Sequence, residues 1–119
     1  WLYAGTMDWS NTLRYADLER RSPKVSRLYE LIGVENIVAR QGGFELWRSS
    51  DGENWLPVNR QGFGNPYNYG LRTLISTPHG LFLGTANPFG PRVAVRREDQ
   101  WRYEDNPRGG LEVWLGRRK

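Results

Sequence analysis

Residues 62–72 bring Asn65, Tyr67, Asn68, Tyr69 and Arg72 into one short stretch of chain. Flat aromatic faces lie against the C–H surfaces of a sugar ring, while amides and a guanidinium hydrogen-bond its hydroxyls or carboxylates. The same run of Gly, Asn and Pro also serves a chain reversal that binds nothing. Both readings stand at this level. Glu45 and Glu112 each precede a tryptophan by two positions, Trp47 and Trp114. A carboxylate repeated in register predicts a structural role, because a catalytic group is needed once. Asp8, Glu98, Asp99, Glu104 and Asp105 are acids of the type that glycoside hydrolysis uses, but no spacing selects a pair. His79, between Pro78 and Gly80, reads as an exposed turn residue. With no cysteine and one histidine, the sequence excludes a disulfide framework, a thiolate zinc site and a cysteine nucleophile. It points to no metal and no cofactor.

The elements that position these residues follow from two echoes. Leu2-Tyr3-Ala4-Gly5-Thr6 recurs 79 residues on as Leu81-Phe82-Leu83-Gly84-Thr85. Gly42-Gly43-Phe44-Glu45-Leu46-Trp47 recurs 67 residues on as Gly109-Gly110-Leu111-Glu112-Val113-Trp114. The order is the same both times, so two fixed strands are joined by a connection of variable length. Alternation over residues 72–77, turn chemistry at Pro78-His79-Gly80 and the apolar run Leu81-Phe82-Leu83 predict a hairpin. Residues 44–48 and 54–58 predict two further strands about the turn Ser49-Ser50-Asp51-Gly52, the latter an outer one because of Pro57. The unit is then four antiparallel strands, A to D. Residues 1–60 hold B, C and D of one unit with a helical insertion at about 10–41. Residues 61–119 hold an inter-unit loop and A, B and C of the next, with residues 90–108 as loop.

At the turn, Ser49-Ser50-Asp51-Gly52-Glu53-Asn54-Trp55 resembles the Asp-box of BNR-type β-propellers, one residue shorter between Asp and Gly than the common form. The residue types have physical reasons of their own. Asp accepts backbone N–H groups inside the turn, Gly takes the left-handed conformation, and Trp folds over the hairpin. The resemblance implies an all-β fold: two incomplete four-stranded antiparallel blades of a β-propeller, with a helical insertion in the first. It also implies that Ser49, Asp51, Gly52 and Trp55 are structural. Blades cover one another's faces and a propeller needs several, so the chain is expected to be a terminal part of a longer propeller, its missing strands supplied by the remaining blades or by another chain.

Residues 10–41 do not read as sheet. Ser22-Pro23 is a helix start, Val25, Leu28, Tyr29 and Ile32 fall on one face, and Gly33 ends the pattern. A weaker helical stretch, 13–20, precedes it. The four apolar residues are expected to be buried together, with Arg21, Lys24 and Arg27 in solvent, either as a plain solvated face or as a docking surface for a partner.

Composition sets the outer bounds. The chain has 119 residues, 17 Lys+Arg against 13 Asp+Glu, 14 Gly and 7 Pro. That is one small domain of many short elements. Six Trp, six Tyr and four Phe give it a core despite a hydrophobic content of 38%. No apolar run is long enough for a membrane span, and the charge comes without any nucleic-acid-binding pattern. The expected function is a non-catalytic platform for a protein partner, a larger assembly or a polysaccharide. The alternative that the resemblance permits is part of a sialidase-like, glycan-active propeller enzyme, most of whose catalytic residues would have to lie in other blades.

Overall fold

The computed structural model describes residues 1–15, 21–98 and 100–117. Asp99, residues 118–119 and most of the 13–20 stretch therefore lie outside the described residues. Alternating short strands pair as the echoes require. β1 (Leu2–Gly5), β2 (Leu46–Ser49) and β3 (Trp55–Asn59) form an antiparallel sheet in that order. β4 (Gly70–Thr77), β5 (Gly80–Ala86) and β8 (Val113–Gly116) form a second, order β4-β5-β8. Among the described residues, β1 pairs with β2 alone and β8 with β5 alone. The chain is mostly β, and each of these two sheets has three strands.

Two sequence expectations are corrected. Residues 90–108, expected as loop, contain the hairpin β6 (Arg92–Arg97) and β7 (Gln100–Asp105). Its period-two pattern was present in Val93 and Val95 and in Trp101 and Tyr103, and Val93 is buried. Gly33, expected to end the helical region, ends α1 (Pro23–Ile32) but also begins α2 (Val34–Gln41). Its N–H donates to Tyr29 O while its own carbonyl accepts from Asn36 and Ile37. A 3-10 turn, Ser10–Tyr15, precedes both helices.

The expected burial of the α1 face is corrected as well. Leu28 and Ile32 are exposed, Val25 and Tyr29 are half-buried, and α1 contributes no buried residue. α1 packs sparsely on α2, and it is α2, through the buried Val38, that joins the body of the protein.

The core lies between the two sheets. Phe44, Leu46 and Tyr3 from the first meet Leu71, Leu74, Leu81 and Leu83 from the second, with Phe63 between. The sheets approach closely at Gly5, where a Cβ would lie 2.5 Å from a Leu71 carbon, so a side chain there has no room. The Cα radius of gyration, 16.7 Å, exceeds the value of about 13.5 Å for a closed domain of this length. Two three-stranded sheets stacked face to face leave their outer faces uncovered.

Candidate functional site

The two units share a clamp as well as strands. Thr6 Oγ1 accepts the Glu45 N–H at 2.8 Å and Thr85 Oγ1 accepts the Glu112 N–H at 2.8 Å. Trp47 Nε1 donates to Glu45 at 2.8 Å and Trp114 Nε1 to Glu112 at 2.9 Å. Gly43 and Gly110 match in φ, 95° and 92°. The repeated carboxylates thus tie strand to strand. They differ in what else reaches them. Glu45 takes the Arg60 guanidinium at 2.9 Å near the surface. That contact, despite some desolvation and together with Trp47, holds the Glu45 carboxyl below its ordinary range.

Glu112 is instead the hub of a polar network made by the 62–72 loop. Asn65 donates to it at 2.7 Å and Asn68 at 2.8 Å. Burial pushes the Glu112 carboxyl up, but these amides, Trp114 and the Arg108 charge outweigh it and leave the group below its usual value. Asn65 also bonds Arg108 O, and Asn68 bonds Gly62 O. Of the residues expected to touch a sugar, Asn65 and Asn68 are therefore buried with their amides committed. Tyr67 stands edge-on to Phe89 at 5.1 Å and Tyr69 stacks on Trp9 at 4.1 Å, while Arg72 is exposed on β4. The loop brings its amides together on Glu112 rather than toward solvent.

Sequence reasoning missed Asn87 and Asn106. Asn87 donates to Asn68 Oδ1 and to Arg108 O; Asn106 donates to Gly90 O. A signal for both existed in the three Asn-Pro pairs, Asn65-Pro66, Asn87-Pro88 and Asn106-Pro107. In each, the Asn side-chain oxygen accepts the N–H two residues on, from Tyr67, Phe89 and Arg108. Proline has no N–H to offer, so the next one closes the turn.

The Ser49–Trp55 turn is organised as its residue types require. Asp51 Oδ1 accepts Glu53 N–H at 2.9 Å and Asn54 N–H at 2.8 Å, and Oδ2 accepts the Asn54 amide at 2.9 Å. Ser49 Oγ donates to Asp51 and accepts Gly52 N–H. Gly52 has φ 84°, and Trp55 Nε1 returns to its carbonyl at 3.1 Å. These donors, Asn54 first, hold the Asp51 carboxyl far below its ordinary value of 3.8. A lowered folded-state pKa means that the stabilisation is present above 3.8 and is lost as pH falls below it. Asp51→Ala should lower the melting temperature at pH 7 by ~3–6 °C, and the difference from the parent should shrink at pH 3. Circular dichroism melts at both pH values test this; equal melting temperatures at pH 7 would remove the structural role.

Arg21, Lys24 and Arg27 are exposed. His79 is exposed at the β4–β5 turn, its N–H donating to Thr77 Oγ1. Among the described residues no three His, Cys, Asp or Glu side chains come together as metal ligands, and no helix is long and apolar enough to cross a membrane.

The largest difference between the two units is what covers them. Cross-strand pairing puts Tyr3, Gly5, Leu46 and Arg48 on one face of the first sheet, the face on which the second sheet lies. The register puts Phe82, Gly84, Val113 and Leu115, with Thr73 and Ile75, on one face of the second. These are the same repeat positions. Phe44 is 0% exposed and Leu46 3%, whereas their counterparts Leu111 and Val113 are 68% and 66% exposed. No family model, curated protein or solved structure matches this chain.

Proposed function

We propose that this chain is a segment of an Asp-box-type propeller array and works as a non-catalytic platform for binding and assembly. The open face of the second sheet is its docking face, and the occupant is a further unit of the same repeat, from the remaining blades or from another chain. The observation that carries this reading is the mismatch between Phe44 and Leu46 and their open counterparts Leu111 and Val113. The same positions on the same face are covered once within the chain, so a unit with matching chemistry is the natural cover for the second. Ile75, Leu111 and Val113 together expose a large apolar area of the kind that marks an interaction site.

The test is sedimentation of the full chain over a range of concentrations, with a hydrophobic dye as second readout. Self-association and dye binding are expected, and Val113→Lys should reduce both while leaving the circular dichroism spectrum intact. A monomer at high micromolar concentration that binds no dye would overturn the reading, as would a Val113→Lys variant that associates like the parent.

A further inference from the structure

Part of the apolar face of α1 borders a cleft. Tyr29 and Ile32, one turn apart on α1, line a cleft of about 620 Å³ whose other walls are Trp9, Ser10 and Leu13 and, on α2, Asn36, Ile37 and Arg40. Arg21, two residues before α1, also lines it. The volume is in the range of small-molecule sites. The construction is firm on the sheet side: Asp8 N–H donates to Tyr69 O, Ser10 N–H donates to Asp8, and the Trp9 ring stacks on Tyr69. Asn11 beside it is buried and donates to Pro66 O. On the helical side the Asn36 amide donates to Ile32 O across Gly33, tying the start of α2 to the end of α1.

The chemistry of the described lining residues is one-sided. Two arginines, two aromatic residues and three aliphatic side chains line the cleft, and no carboxylate is among the described lining residues. Guanidinium is weakly hydrated and pairs with planar anions through a fork of N–H donors. Trp and Tyr rings offer flat apolar faces to an aromatic body. We propose that this cleft binds a small organic anion with an aromatic body, its acidic group held by Arg21 and Arg40 and its ring set between Trp9 and Tyr29. The site stands apart from the sheet face argued above, and neither needs the other.

Naphthalene-2-sulfonate is a suitable probe, with neutral 2-naphthalenemethanol as its uncharged counterpart. Binding to the full chain is followed by Trp fluorescence and by amide chemical shifts. The anion should bind on the order of tenfold more tightly than the alcohol, as expected of a charge-assisted hydrogen-bonded pair. Shifts should concentrate at residues 9–13, 21 and 29–40. Arg40→Gln and Arg21→Gln should each weaken the anion by on the order of tenfold without weakening the alcohol, and Arg40→Lys should fall between. Both arginines are exposed, so the variants should keep the parent spectrum. Equal affinity for the two probes, shifts centred on Ile75 and Val113, or a doubly substituted Arg21→Gln/Arg40→Gln chain that binds the anion like the parent would each overturn the site.

Discussion

Phe44→Ala is expected to lower the stability of the chain by about 3–5 kcal/mol. The ring is fully buried at the contact between the two sheets and stands edge-on to Phe63 at 5.1 Å. Truncation opens a cavity in the cluster that Phe44 forms with Leu46, Leu83 and Phe63. Leu111→Ala, the same position of the second unit, should stay within about 0.5 kcal/mol at concentrations too low for association, because that side chain is then largely in water. Phe44→Leu, which writes the second unit's residue into the first, keeps most of the volume and should cost about 1–2 kcal/mol. It serves as the measurable variant should Phe44→Ala exceed the total stability of a small domain. Urea unfolding of the three variants checks the ordering. Equal costs at positions 44 and 111 at such concentrations would mean that the two faces do not differ in cover within the chain.

Glu112→Gln should be the most damaging of the charge-removing substitutions, at about 2–3 kcal/mol. The carboxylate accepts from Asn65 at 2.7 Å, Asn68 at 2.8 Å and Trp114 at 2.9 Å. An amide in its place keeps one acceptor oxygen and turns an NH2 toward another donor, so a buried Asn is left without its partner. Glu45→Gln should cost only ~0–1 kcal/mol, because its Arg60 contact is near the surface and screened. The pH dependence follows from the lowered carboxyl of Glu112. Its contribution is present above the ordinary value of 4.5 and is lost as pH falls through the folded-state value. The difference between the unfolding curves of the parent and Glu112→Gln should therefore be smaller at pH 3 than at pH 7. A cost at pH 7 no greater than that of Glu45→Gln would show that the amides find other acceptors.

The strands of both sheets were legible because their signals are local. Turn chemistry at Ser49–Gly52 and at Pro78–Gly80, alternation on either side and a repeated Gly-Thr and Glu-x-Trp need only a few consecutive residues. α1 was legible for the same reason, through Pro23 and an apolar spacing of three and four. The β6–β7 hairpin was legible in principle, in Val93, Val95, Trp101 and Tyr103, but these residues lie in the stretch between the two repeat motifs that has no strand counterpart in the first unit. α2 was hidden because Gly33 carries both a stop signal and the start of the next helix. The amides of Asn65 and Asn68 looked like ligand groups for a physical reason of another kind. An amide is equally suited to a sugar hydroxyl and to a protein carboxylate, and the one that received them, Glu112, stands 47 and 44 residues further along the chain. The sequence alone determined the local conformations, the repeat and the residues of the Asp51 turn. The tertiary structure decided which polar groups satisfy one another, which helix face borders a cleft and which of two equivalent sheet faces is covered. These depend on segments far apart in sequence meeting in space, and a few consecutive residues hold no record of that meeting.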